Sequence, residues 1–172
     1  MSGSREGGLQ FSHVFTEDTE VTGHMKLKLW VSTTEGDDMD LFVAVEKLDR
    51  TGEEVHFFGK TGYAEGPVAL GWLRVSERTL DAVASTPWQP VLSHDNPSPI
   101  AAGEIVPVEI EILPSSTRFL AGETLRLTIQ GRDLFEHPAL AHAYSANEGT
   151  HRIHSGRDHD SHLLLPIAPA SD

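Results

Sequence analysis

The residues best suited to chemistry lie near the C-terminus, in the segment His151–Pro166, which reads HRIHSGRDHDSHLLLP. Its four histidines form two His-x-x-His pairs, and Asp158 and Asp160 lie close to them. Imidazole nitrogens and carboxylate oxygens are zinc ligands, and zinc takes three or four of them at about 2.0–2.2 Å. The segment therefore raises three interpretations: a metal site, a catalytic base, or a strand end that is rich in histidine.

The spacing of these histidines disfavours a metal site. Residues i and i+3 share a face on a helix, whereas on a strand they point to opposite faces. Gly156 predicts a turn in the middle of the segment, which leaves a site in a loop open. We favour a polar hairpin followed by a terminal strand, LLLPI, and expect no metal ligand and no cofactor here.

Ser161 lies between Asp160 and His162, and these are the three residue types of a serine hydrolase triad. Neighbours on an extended strand point to opposite faces, so these three side chains cannot converge. The chain also lacks Gly-x-Ser-x-Gly, the strand-to-helix turn that exposes a serine nucleophile. Cysteine is absent as well, so thiolate chemistry and disulfides are excluded. We expect no catalytic residue in this chain.

Acidic residues offer a further candidate. The run Gly36-Asp37-Asp38-Met39-Asp40 could supply oxygen ligands to calcium, but its glycine and glutamate spacing does not match an EF-hand loop. A solvated turn before a strand is the interpretation that we prefer. Glu46 is interpreted in the same way, as a residue on the polar face of a strand.

Aromatic side chains could stack on a sugar or form an interface with another domain. Trp30 is out of phase with the apolar residues of the strand MKLKLWV, and a tryptophan on a polar face is more often part of an interface. We single out three residues as facing another domain or a substrate: Trp30, Trp88 and Tyr144.

The elements that must position these residues are strands. In MKLKLWV, VPVEIEIL and LRLTI, apolar and polar residues alternate with a period of two, as in strands with one face in water. No segment of ten residues carries the apolar repeat of a helix. Short strands separated by Gly and Pro predict an antiparallel sandwich or barrel. We predict a flexible lead-in over 1–8 and one domain over 9–172.

Composition limits the partners and the compartment. The formal charge of −13 is spread along the chain, whereas phosphate binding needs clustered Lys and Arg, so nucleic acid is not expected. No secretory signal or membrane span is visible, which favours a soluble, cytoplasmic protein. Four prolines between Ser85 and Gly103 predict a long surface crossover, because proline removes a ladder donor.

A long segment resembles a known family. The string GEIVPVEIEILPSSTRFLAGETLRLTIQG, Gly103–Gly131, resembles the C-terminal non-catalytic domain of X-Pro dipeptidyl-peptidase-like serine hydrolases, the family of cocaine esterase and glutaryl acylase-type enzymes. Five other segments match in the same order, from about Thr16 to Pro169: EDTEVTGHMKLKLWVST, DDMDLFVAVEKLDRTGEEV, GWLRVSERTLD, PWQPVLSH and GTHRIHSGRDHDSHLLLPIAP.

The resemblance implies a jelly-roll sandwich of the galactose-binding-like type, with the histidine-rich segment as its closing hairpin and last strand. It also implies that the partner is an α/β-hydrolase catalytic domain, normally in the same chain, which carries the serine nucleophile. The function expected is then an accessory one, with Trp88–Pro99 and Phe135–Glu148 touching the partner. Separated from that partner, the domain would expose an apolar face, and self-association is expected as salt screens its charge.

Two other classes of function stay open at this point. A free-standing carbohydrate-binding module would bind a glycan and lose that binding when an exposed tryptophan is removed. A metal-dependent enzyme would carry stoichiometric zinc.

Overall fold

The computed structural model describes residues 8–58, 65–134, 142 and 145–168. Within these residues the chain forms nine strands, one short 3-10 helix at Val75–Glu77 and no α-helix. The described part of the chain contains no helix that is long and apolar enough to cross a membrane. The strands are β1 Leu9–Val14, β2 Thr19–Thr33, β3 Asp40–Leu48, β4 Glu54–Val55, β5 Ala69–Arg74, β6 Val106–Phe119, β7 Thr124–Gln130, β8 His151–His154 and β9 His162–Leu164.

The strands form one curled antiparallel sheet in the order β1-β7-β3-β5-β6-β2-β8, with β4 paired to β3 and β9 paired to β2. Strands β5 and β6 share a single paired position, Gly71 with Ile112. The sheet bends there into two layers, one containing β1, β7, β3 and β5 and the other containing β6, β2, β8 and β9. The prediction of an all-β antiparallel sandwich is confirmed.

The core lies between the two layers and follows the predicted alternation. Met25, Leu27, Leu29 and Val31 of β2 are buried, as are their alternating counterparts on β3, β6 and β7. Apolar burial of this kind is the main favourable term in folding. The described core also includes these residues: Leu41, Val43, Val45, Val106, Val108, Ile110, Ile112, Phe119, Leu125, Leu127 and Ile129.

Gly71 is required by the close approach of β5 to β6. A Cβ atom at this position would lie 2.5 Å from the backbone oxygen of Glu111, so any larger residue would push the two strands apart. A glycine in a strand often marks such an approach between backbones.

Strand β3 is buried on both faces, and its outer face carries an ionic network. The side chain of Glu46 is fully buried and accepts hydrogen bonds from Arg126 Nε at 2.8 Å and Thr128 Oγ1 at 2.6 Å. Arg126 Nη2 also donates to Glu54 Oε2 at 2.8 Å. Hydrogen bonding to Glu46 is the main reason that the pKa of Arg126 is raised. The interpretation of Glu46 as solvated was wrong, because alternation identifies a face and does not show what covers it.

The crossover between β5 and β6 runs over residues 78–105 and contains none of the nine strands, as the prolines predicted. It is nevertheless held in place. Ile100 is buried in the core, its N–H donates to Asp37 O at 2.8 Å, and Ser98 N–H donates to Ser76 O at 2.7 Å. The crossover is thus a fixed part of the surface.

Replacing Arg126 with Met should destabilise the protein by about 3 kcal/mol, because removal of one partner leaves the buried Glu46 charge poorly compensated. The double variant Glu46→Met with Arg126→Met should recover most of the loss, since it removes both charges. Urea unfolding followed by circular dichroism measures both. A double variant less stable than Arg126→Met alone would contradict this account.

Candidate interdomain surface

In the histidine-rich segment the predicted polar hairpin is reduced to one antiparallel bridge, between Gly156 and His159, and β8 and β9 do not pair with each other. Strand β8 pairs with Trp30–Thr33 of β2, and β9 pairs with Lys26–Lys28 of the same strand. Residues 155–161 leave the sheet between them as a loop, which is closed by a hydrogen bond from His159 N–H to Gly156 O at 3.0 Å. We call these residues the β8–β9 loop. Local sequence could identify the turn but not the strand that receives the two segments.

The histidines of this segment differ in their contacts. His154 Nε2 lies 2.9 Å from Ser32 Oγ, and His162 Nδ1 lies 2.6 Å from the backbone oxygen of Asp160. The ring of His159 lies 5.5 Å from the ring of His154. Burial lowers the pKa of His151. Among the residues that the structure describes, no group of three or more histidine or carboxylate side chains is placed to hold a metal ion.

Ser161 joins two strands through its hydroxyl group. Its Oγ accepts a hydrogen bond from Trp30 N–H at 3.0 Å and donates to His154 O at 2.7 Å. Both partners are backbone atoms, which suits a residue that fastens the loop to β2 and β8.

Trp30 lies on the outer face of β2, as its phase predicted, and is half-buried under the β8–β9 loop. Its Nε1–H donates to Asp160 Oδ1 at 2.9 Å, and its ring meets the His159 ring edge to face at 5.2 Å. Lys28 Nζ lies 2.9 Å from Asp160 Oδ2. The hydrogen bond from Lys28, followed by that from Trp30, lowers the pKa of Asp160 to about 2.

We expect Lys28→Met to raise the pKa of Asp160 from about 2 towards the ordinary value of 3.8. The folded-state pKa is depressed, so the contribution of this ion pair to stability is present above pH 3.8 and is lost as the pH falls through about 2. The NMR shift of the Trp30 indole proton should report this titration.

Lys26→Met is the matched control, because Lys26 lies on the same face of β2 and pairs with Glu109 instead, at 2.9 Å. In Lys26→Met, the NMR shift of the Trp30 indole proton should titrate at the same pH as in the unmodified protein. Equal midpoints in all three proteins would show that Lys28 does not set the charge of Asp160.

A second aromatic region lies where the sheet bends. Trp72 on β5 and Leu113 on β6 point outwards and are exposed, together with Trp88 at 56 % and Val83 at 97 % in the crossover. A cavity of about 340 Å³ lies beside Trp72 and Leu113, and its other lining residues are Leu73, Pro90, Val91, Leu92, His94, Glu109 and Glu111. We call Trp72, Val83, Trp88, Leu113 and residues 90–94 the crossover surface.

Hydrogen bonds hold the crossover surface rigidly on the sheet. Gln89 Nε2 donates to Glu111 Oε1 at 3.0 Å, next to Trp88 in the chain. Asp81 N–H donates to Val91 O at 2.8 Å. The Asp81 carboxylate accepts from the N–H groups of Ala84 and Val83, which lowers its pKa. These bonds fix the turn that carries Val83.

The structure does not bring Trp30 and Trp88 together. On β6, Trp30 is paired with Pro107. Gln89, the residue after Trp88, is hydrogen-bonded to Glu111 of the same strand. These positions lie four residues apart on β6, roughly 13 Å at the rise of a strand. Tyr144 lies outside the described residues, as does most of Phe135–Glu148. Trp72 and Leu113 were not singled out, although alternation with buried Leu73 and Ile112 places both on the outer face.

The fold and this surface define an all-β domain with exposed apolar side chains on an ordered crossover. Residues 4–164 match the family model described as the X-Pro dipeptidyl-peptidase C-terminal non-catalytic domain. The chain therefore belongs to this family. Because the family is the non-catalytic C-terminal part of its proteins, a catalytic domain lies in the same chain in the relatives.

Individual relatives agree with this assignment. A solved structure of a CocE/NonD family hydrolase from Staphylococcus aureus is similar with a TM-score of 0.90 and 44 % identity, over 94 % of this chain and 30 % of that one. Cocaine esterase of Rhodococcus sp. is 28 % identical over 165 residues, 91 % of this chain. A putative serine esterase of Mycobacterium bovis is 28 % identical over 148 residues, 86 % of this chain. The chain spans only 22–24 % of the length of these two curated relatives.

Proposed function

We propose that residues 9–172 act as one accessory domain, which packs on the α/β-hydrolase catalytic domain of a serine hydrolase and shapes its substrate cleft. The observation that carries this proposal is the crossover surface. It carries four exposed apolar side chains on a backbone that hydrogen bonds hold in place, although the β-sandwich already has a core of its own.

The composition of the crossover surface suits a protein partner. Exposed apolar groups on a surface can mark interaction sites, and tryptophan is enriched in the buried centres of interfaces. Because Gln89 and Asp81 already hold the surrounding backbone, little conformational freedom would be lost on docking. Trp88, which is 56 % exposed, is the aromatic side chain of this surface that lies in the crossover itself.

The contribution of the domain to hydrolysis is positional. The serine, acid and histidine belong to the catalytic domain, and this domain supplies a wall that excludes water and limits which substrate reaches the serine. The substrates that we propose for the whole enzyme are X-Pro dipeptides or acyl esters and amides. Trp30, under the β8–β9 loop, is a second residue proposed to lie near the partner.

A chimaera tests this proposal: the chain replaces the corresponding domain of the S. aureus hydrolase, which is 44 % identical to it. The chimaera should unfold in one cooperative transition, because the two domains stabilise each other. Trp88→Ala should lower the melting temperature of the chimaera and raise KM for a chromogenic ester. In the isolated chain the same change should leave the melting temperature almost unchanged, because Trp88 is 56 % exposed.

Val14→Ala is the matched control. Val14 has the same exposed fraction, 56 %, but lies on β1, at the other end of the layer from β5. It should change neither the melting temperature nor KM of the chimaera. If Trp88→Ala and Val14→Ala behave alike in the chimaera, the crossover surface is not the interface.

A further inference from the structure

A cavity of about 400 Å³ is lined by residues of both layers of the sandwich, beside the start of β8. Its apolar lining residues are Leu9, Val31, Met39, Leu41, Ile129 and Ile153. Val31 and Met39 are fully buried, so the core itself forms part of the wall. An apolar cavity of this size with a few polar groups is the usual form of a small-molecule site.

Two of the residues that line this cavity hold a buried side-chain atom that has no hydrogen-bond partner among the described residues. The two atoms are His151 Nε2 and Gln130 Oε1. A buried polar atom without a partner is unfavourable, and such atoms are uncommon in native proteins. A bound molecule that supplies the missing partner would account for them.

The unpartnered nitrogen of His151 is a hydrogen-bond acceptor. The His151 ring donates a hydrogen bond to the backbone oxygen of Glu148, and since Nε2 has no partner, Nδ1 is the nitrogen that donates. Burial lowers the pKa of His151 below its ordinary value of 6.5, so the ring is neutral at neutral pH. A neutral imidazole with its hydrogen on Nδ1 carries a lone pair on Nε2.

The side-chain amide of Gln130 is oriented by its own hydrogen bonds. Its Nε2 donates to Arg132 O at 2.9 Å and to Asp133 O at 3.0 Å, so the atom without a partner is the carbonyl oxygen. Asn147, which also lines the cavity, uses both atoms of its amide within the protein. The two unpartnered atoms are thus both acceptors, and a molecule that pairs with either must bring a hydrogen-bond donor.

The surroundings of the cavity favour a neutral ligand. A charge moved into an apolar environment is costly unless it is paired. A cation would find the neighbouring Asp40 already held by Arg74, at 2.8 and 2.9 Å, and an anion would face the lone pair of His151. Arg152 also lines the cavity but is exposed, so its charge stays in water. A hydroxyl group on an apolar body is uncharged and supplies the donor.

We propose that this cavity is a binding site for a small neutral alcohol, whose apolar body contacts Val31, Leu41 and Ile129 and whose hydroxyl group donates to His151 Nε2. Glu148 already fixes the His151 ring, so little conformational freedom is lost on binding. The site is made of residues of this chain alone, and it is therefore independent of the proposed packing on a catalytic domain.

Cyclohexanol is the probe, and cyclohexanone is its matched control, because the two rings have nearly the same shape but the ketone can only accept a hydrogen bond. In an NMR titration of the 172-residue chain at neutral pH, cyclohexanol should shift the methyl signals of Val31, Leu41 and Ile129 in a saturable way. It should also move the nitrogen resonance of His151 Nε2 upfield, as acceptance of a hydrogen bond does. Cyclohexanone should bind at least about fivefold more weakly, because one hydrogen bond is missing.

His151→Leu removes the acceptor. It should weaken the binding of cyclohexanol about fivefold and leave that of cyclohexanone nearly unchanged, a difference that a general loosening of the structure would not produce. His162→Leu is the control, since it makes the same change in the same segment at a residue of β9 outside the cavity lining, and both affinities should stay the same. Circular dichroism checks folding, and should His151→Leu not fold, the two ligands still test the proposal on the unmodified chain.

Three results would overturn the proposal. The first is the absence of saturable shifts with cyclohexanol. The second is equal affinity for cyclohexanol and cyclohexanone, which would indicate an apolar cavity in which His151 makes no hydrogen bond to the ligand. The third is tighter binding of cyclohexanecarboxylate than of cyclohexanol, which would indicate an anion site at Arg152.

Discussion

The approach of two backbones at Gly71 is the constraint on which the rest of the structure depends. Only at this residue does β5 pair with β6, and a side chain there would collide with the Glu111 backbone. The pairing allows one continuous sheet to bend into two layers, so that apolar faces on both sides enclose the same core. It also places Trp72 and Leu113 on one outer surface, although they lie far apart in the chain. The surface proposed to meet the partner is thus a consequence of how the sandwich closes.

The outer faces of the two layers are built in different ways. In the first layer β3 is covered, and the polar groups beneath the cover are matched in a network centred on Glu46 and Arg126. In the second layer the outer face carries more exposed ion pairs such as Lys28 with Asp160, and part of it is covered by the β8–β9 loop. Buried charges demand specific partners, whereas exposed ones tolerate change. We therefore regard the first layer as the more specific part of the fold.

Much of this fold could be predicted from the sequence, because alternation is a local property. MKLKLWV identifies both the strand and its buried face, and the prolines after Ser85 identify the crossover. Properties that depend on distant partners could not be predicted in the same way. Nothing near His151 shows that β8 and β9 both pair with β2, and nothing near Glu46 shows that its face is covered.

In the candidate site, too, the features set by local sequence were predictable and those set by distant contacts were not. The outward phase of Trp30 was predictable, but its cover by Asp160 and His159 depends on a contact across about 130 positions of the chain. Trp88 could be identified as an exposed aromatic residue in a proline-rich segment. Trp72 and Leu113 come to lie on one surface only through the pairing of β5 with β6. Resemblance to a family supplied what local pattern could not, namely the existence of a partner domain.

The β8–β9 loop leaves and rejoins the same side of one strand. His154 is paired with Trp30 and His162 with Lys28, so the whole excursion of residues 155–161 spans a single position of β2, Leu29. Its length is therefore uncoupled from the geometry of the sheet: residues can be added at the Gly156–His159 turn without shifting the register of either flanking strand. Such a position suits the grafting of a foreign peptide or label, displayed beside Trp30 on an otherwise unaltered scaffold.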